Sequence, residues 1–155
     1  MTGIGITRVN EADLADLLPL LRAYCDFYAV HPSDADLLAL CRALITDPER
    51  EGLQLIVRDE NGAAVGFATI YWSWSTAQAG RLGVMNDLFV AERSRGRGVA
   101  EALIEACRHE CAGRGVRTLA WQTAPDNHRA QAVYDRIGAT REQWIDYWLR
   151  TEGGE

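Results

Sequence analysis

Apolar and polar residues alternate over positions 4–9, as in a half-buried strand, and the period then changes to that of a helix bearing Leu14, Leu17, Leu18 and Leu21. Asn10, with Asp13 three residues later, marks where that helix starts. The chain turns at His31-Pro32, and Ser33 with Asp36 opens a second helix carrying Leu37, Leu38, Leu40, Cys41, Leu44 and Ile45, which stops before Pro48. Segments 53–58 and 64–74 read as strands joined through Asp59-Glu60-Asn61-Gly62, where Asn-Gly is a strong hairpin signal, and a further strand follows Gly80 over 82–90. A helical period returns at 97–112 with Val99, Leu103, Ile104, Cys107 and Cys111 on one face, and Gly113 and Gly115 end it. Positions 116–123 read as a strand, 127–137 as a helix after Pro125, and 139–150 as one or two final strands rich in Trp144, Ile145, Tyr147 and Trp148. The predicted order is β-αα-βββ-α-β-α-β, an α/β (α+β) class.

At 155 residues, with no repeat or low-complexity stretch, one domain over 1–150 and a polar tail at 151–155 are expected. A hydrophobic content of 48% with 25% charged residues is that of a globular protein. Charge or glycine interrupts every apolar run, and the N-terminal residues lack the basic-then-apolar order of a signal peptide, so no membrane span and a cytoplasmic location are expected. Cys25, Cys41, Cys107 and Cys111 form no Cys-x-x-Cys pair, and His109 points off the face shared by Cys107 and Cys111. Buried thiols and no metal are therefore expected. A formal charge of −6 speaks against nucleic-acid binding and favours a cationic small substrate.

The stretch Arg93-Ser94-Arg95-Gly96-Arg97-Gly98-Val99-Ala100 joins an apolar strand to a helix. Glycines at 96 and 98 let the backbone approach an anion, and the start of a helix directs unpaired N–H groups to the same place. A P-loop would end in Gly-Lys-Ser/Thr, and a dinucleotide fold would place a third glycine where Glu101 stands, so neither fits. A second motif, Asn127-x-x-Ala130-x-x-x-Tyr134-x-x-x-Gly138, puts an amide, a small gap and a phenol on one helix face, with Gly138 as the C-terminal cap.

Arg95-x-x-Gly98-x-Ala100 followed by the Asn127 to Gly138 motif resembles the GNAT superfamily of N-acetyltransferases, strongly over 82–150 and weakly before that. The resemblance implies a mixed sheet splayed between its fourth and fifth strands, with acetyl-CoA in the gap. It assigns the pantetheine arm to the backbone of Leu88, Phe89 and Val90, the pyrophosphate to the amides of Arg95, Gly96, Arg97, Gly98, Val99 and Ala100, and further cofactor contacts to Asn127, Ala130 and Tyr134. Leu88 N–H would meet the negative oxygen that develops on the acyl carbon.

Transfer to an amine needs the neutral amine, and an alkylamine of pKa ~10.4 is almost wholly protonated at pH 7. Asp87 is the nearest carboxylate to the pantetheine strand. Polyamine-acetylating relatives often have glutamate where Asn86 stands, and asparagine cannot be a base. Alternation along the strand turns Asn86 and Asp87 to opposite faces, and the choice between Asp87, Asn86 and a water chain stays open. Tyr134, with a phenol pKa of ~10 against ~8.5 for a thiol, can donate to the departing thiolate. Tyr24, Asp26, Phe27 and Tyr28 at the end of the first helix, Trp74 at the end of the third strand, and Asn86 are the expected acceptor contacts; aromatic faces beside a carboxylate suit a cation. The function implied is an acetyl-CoA-dependent N-acetyltransferase acting on a small or peptide amine, with a homodimer as one arrangement of the Trp-rich C-terminal strand. A non-catalytic acyl-CoA-binding module is the alternative.

Overall fold

The computed structural model describes residues 3–152, which fall into two compact units divided after residue 122. The first opens with β1 (Gly5–Arg8), then α1 (Leu14–Phe27) and α2 (Asp34–Thr46). The Asn10 side chain accepts from the Ala12 N–H at 2.9 Å and the Asp13 carboxylate accepts from the Asn10 N–H at 2.9 Å, so the residues that signalled a helix start do close one. Ser33 caps α2 by accepting from the Asp36 N–H at 3.1 Å.

An antiparallel meander follows, β2 (Gly52–Arg58), β3 (Ala64–Ser75) and β4 (Gly80–Val90). The β2–β3 turn is closed by Asp59, whose carboxylate accepts from the N–H groups of Asn61 and Ala63, while Gly62 takes φ +81°. After β4 come α3 (Val99–Gly113) and β5 (Leu119–Ala120), giving the sheet order β1-β2-β3-β4-β5. The strand expected over 116–123 is this short because β5 runs parallel to β4 only at Gly83↔Leu119 and Val84↔Ala120. Past Val84, β4 has no strand neighbour on that side among the described residues.

One face of the sheet packs Ile56 and Phe67 under Leu14, Leu17, Leu21 and Cys41 of α1 and α2. The other lies against α3 so closely that a Cβ on Gly83 would stand 2.6 Å from Cys111 Sγ. All four cysteines are buried and unpaired, as small apolar residues would be. No helix among the described residues is long and apolar enough to cross a membrane.

The β3–β4 ladder contains one irregularity. Thr69 opposes Asp87 but Ile70 opposes Met85, leaving Asn86 as an extra residue in a β-bulge.

The second unit contains α4 (His128–Arg136), capped by the Asn127 side chain, which accepts from the Ala130 N–H at 3.2 Å. At its other end Gly138 takes φ +83°, and the Ala139 N–H reaches back to Tyr134 O at 3.1 Å, the left-handed cap anticipated for that glycine. The final strands expected over 139–150 do not form: no described residue after α4 is in a strand, and Trp144, Ile145, Tyr147, Trp148 and Leu149 are largely exposed. Alternating apolar residues make a strand only where a neighbouring strand satisfies the backbone, and among its described residues this unit offers none.

Candidate active site

Two arrangements meet at the C-terminal half of β4. The first is the loop between β4 and α3. Gly96 (φ +75°) and Gly98 (φ +79°) both occupy the left-handed region, and a Cβ built on either would meet nothing within 4 Å. The backbone there faces open space. Helix α3 begins at Val99 with no side chain capping its first turn, so N–H groups that a serine or aspartate would normally occupy remain available to an anion. The two central arginines differ in their engagement. Arg95 Nε donates to Val90 O at 2.9 Å and its guanidinium lies 5.9 Å from the centre of the Phe89 ring, tying the loop to the strand end. Arg97 is exposed and has no hydrogen-bond or ion-pair partner among the described residues. Together with the edge of Leu88, Phe89 and Val90, which no strand among the described residues covers, the loop fits a pyrophosphate followed by an extended amide-bearing arm.

The second arrangement lies on the α1–α2 face of the same strand. Asp87 is 8% exposed, and Asn86 Nδ2 donates to its Oδ1 at 2.9 Å. The bulge thus breaks the simple alternation: Asn86 is the exposed residue and lays its amide on the buried carboxylate beside it. Tyr24 of α1 donates from its hydroxyl to Asn86 O at 3.3 Å. Burial, with the Asp87 charge second, pushes the Tyr24 phenol well above its ordinary value, so it stays a donor throughout the physiological range. Tyr71, half-buried and also near Asp87, is pushed up to about 12.

The other expected acceptor residues divide. The Tyr28 ring lies against Tyr24 at a tilt of 55°, ring centres 4.9 Å apart, and Phe27 meets Tyr28 edge-on at 5.1 Å. Phe27 also lines an open cleft with Pro19, Ala23, Phe89 and Arg95. Asp26 instead faces solvent, 3.8 Å from His31 Nδ1. Trp74 is exposed under the Arg81 guanidinium at 4.6 Å, and its five-residue separation from Thr69 along β3 puts it ~17 Å from the bulge. The structure does not bring Asp26 or Trp74 to Asp87.

Gln54 and Thr69 were not singled out by the sequence patterns, yet with Asp87 they are the buried polar side chains of the core. The signal was there: each is a polar residue at an inward position of an otherwise apolar strand. In the second unit, Asn127, Ala130 and Tyr134 share one face of α4, with the Asn127 oxygen spent on its helix cap.

The profile of the Acetyltransferase (GNAT) family matches residues 14–139. An uncharacterised N-acetyltransferase of Bacillus subtilis (strain 168), YhfO, is 27% identical over 135 residues, covering 87% of this chain and 89% of that protein. The D-amino-acid N-acetyltransferase HPA3 of Saccharomyces cerevisiae is 36% identical over 78 residues, 50% of this chain and 48% of the relative. Among solved structures, that of AAC(6')-Iy with the bisubstrate analog CoA-S-monomethyl-acetylneamine aligns with a TM-score of 0.82 and 25% identity over 96% of this chain and 99% of that one.

Proposed function

The chain belongs to the GNAT acetyltransferase family and is an acetyl-CoA-dependent N-acetyltransferase, and from that premise we propose that its acceptor is a cationic primary amine, of a small molecule or a peptide, attacking directly in a ternary complex. One observation carries this reading: a buried carboxylate, Asp87, stands at a bulge on the strand whose open edge suits pantetheine, with no arginine paired to it among the described residues. An ammonium group is the natural counter-ion for such a carboxylate. The named substrates of two relatives, a D-amino acid for one and an aminoglycoside for the other, are amines as well.

Acetyl-CoA supplies an activated acyl thioester; the chain supplies position and proton transfer. Amides of residues 95–100 and the free Arg97 hold the pyrophosphate, and the β4 edge at Leu88, Phe89 and Val90 pairs with the arm. The Leu88 N–H stabilises negative charge on the carbonyl oxygen. Asp87 takes the ammonium proton, while Asn86, unable to act as a base, holds that carboxylate in place. Tyr134 donates to the leaving thiolate, and Asn127 serves by fixing the start of its helix. Tyr24 and Tyr28 offer aromatic faces to the cation. The same reading puts the enzyme in the cytoplasm and gives the exposed apolar residues of 144–149 to a homodimer interface.

A thiol-release screen of amines, polyamines, amino acids, aminoglycosides and basic peptides tests it. Cationic primary amines should release CoA fastest, with acceptor KM rising with ionic strength as the screening length shrinks to about 8 Å at physiological salt. Neutral or anionic acceptors outperforming them would overturn the choice of acceptor. Acetyl-CoA binding without acceleration by any amine would leave a binding module.

A further inference from the structure

Helix α1 carries two apolar stripes. Leu14, Leu17, Leu21 and Cys25 are buried and hold the helix on the sheet. Ala15, Pro19, Ala23 and Phe27 recur every four residues on a neighbouring stripe, and all four are exposed. The core makes no use of this second stripe. It lines an open cleft of about 750 Å³ whose lining continues with Phe89 and Ala91 at the end of β4. That volume falls among those of small-molecule sites, about 300–1,000 Å³.

The cleft begins close to the acceptor carboxylate. From Asp87 to Phe89 the β3–β4 ladder is regular, so the two side chains leave the same face of the sheet ~7 Å apart along the strand. That face is the one under α1: Phe89 packs against the cluster containing Leu17 and Leu21, and the Asp87 charge acts on Tyr24.

The charges around the cleft limit what can extend into it. Asp16 is taken up by Arg58 Nη1 at 2.9 Å. Arg93 Nη2 donates to Ala64 O at 3.4 Å and Arg95 Nε to Val90 O at 2.9 Å. A carbonyl accepts a hydrogen bond without cancelling a charge, so these two guanidinium groups face only Glu92 as an opposite charge in this part of the lining, and the rim is net positive. A second ammonium group placed there would lose water and meet that charge. A hydrocarbon body would instead bury against alanine, proline and phenylalanine.

We propose that this cleft receives the non-reacting part of the acceptor, and that the acceptor is a monoamine with an apolar chain or ring rather than a polyamine. Its ammonium group lies beside Asp87, its body runs over Phe89 and along Ala23 and Phe27, and Arg93 turns away a second cationic end. This deepens the amine-acetylating reading and rests on it.

The test measures kcat/KM for ethylamine, butylamine, hexylamine and 1,6-diaminohexane on the parent, Ala23→Trp and Arg93→Glu. The parent should gain about twofold to fourfold per added methylene and prefer hexylamine to the diamine about tenfold or more. Ala23→Trp, which fills the cleft, should flatten the chain-length series and keep the parental rate with ethylamine. Arg93→Glu reverses the rim charge and should bring the diamine within about threefold of hexylamine at low salt, with the gap reopening as salt is added. A flat series in the parent, a series that survives in Ala23→Trp, or a diamine used as well as hexylamine would overturn the proposal. Should Ala23→Trp fail to fold, Arg93→Glu carries the test alone, and an unchanged preference for hexylamine overturns it. Alanine-methyl NMR reads the cleft without turnover. Titration with 4-phenylbutylamine should move the Ala23 and Ala91 signals in the parent and leave Ala91 in place in Ala23→Trp. Moving signals with no amine acetylated would sink the transferase reading while upholding the cleft as an amine site; unmoved signals in an enzyme that acetylates amines would sink the cleft alone.

Discussion

The phosphate loop and the Asp87 site share a strand and are built on opposite terms. In residues 95–100 the proposed binding rests on the backbone: two glycines at positive φ, open space above both, and an uncapped helix start. At Asp87 the backbone contributes a bulge, and everything else is side-chain identity and burial. A backbone site tolerates many side chains but almost no Cβ at its glycines. A side-chain site tolerates backbone adjustment but not the loss of one oxygen.

The largest expected effect belongs to a residue of α4. Tyr134→Phe removes only a hydroxyl, and the proposed role confines its contribution to the transition state, so kcat should fall about 10²–10⁴-fold with acetyl-CoA affinity intact. An unchanged maximal rate where chemistry limits turnover would remove Tyr134 from the mechanism.

On the backbone side, Gly98→Val both strains a φ of +79° and fills the open space a ligand would use. Acetyl-CoA should bind tenfold or more weakly, about 1.4 kcal/mol by calorimetry, with melting checked to separate strain from occlusion. A smaller effect is expected from Arg97→Ala, about threefold to fivefold on acetyl-CoA affinity and fading with added salt, because an exposed charge is screened. Equal affinity at low salt would mean that the loop binds through amides alone.

The smallest effect concerns charge state. Tyr24 and Tyr71 are raised well above an ordinary phenol, Tyr71 to about 12, so their neutral forms favour the fold. That contribution is complete below pH ~10, where an unfolded tyrosine ionises, and is lost as pH climbs through the folded values. Absorbance titration at alkaline pH should show two of the five tyrosines ionising late or only on unfolding. Early ionisation of all five would place water where the structure buries these rings.

What the sequence made legible follows the same division. Helix starts at Asn10 and Ser33, the hairpin at Asp59 to Gly62 and the cap at Gly138 were readable because each is local chemistry within a few residues. So was the glycine loop, a backbone device that its own glycines announce. The bulge at Asn86 was not, since it depends on register between β3 and β4, and strict alternation therefore misjudged how Asn86 and Asp87 relate. Gln54 and Thr69, far apart in sequence, join Asp87 only once three strands pair. Asp26 and Trp74 looked right by type and neighbourhood, but a helix face and five residues of strand carry them away from the bulge. The alternation over 139–150 was real, and no strand followed because a strand is a property of a pair.

The central claim, that donor and acceptor sites on β4 are separately encoded, is tested most directly by one crossed kinetic experiment. Steady-state rates for acetyl-CoA and for the best amine are measured on the parent, Gly98→Val and Asp87→Asn. The account predicts that Gly98→Val raises the acetyl-CoA KM about tenfold and spares the acceptor, whereas Asp87→Asn lowers kcat/KM for the amine about 10²-fold and leaves acetyl-CoA affinity unchanged. Both variants impairing both substrates alike, or Asp87→Asn acetylating the amine at the parental rate, would contradict it.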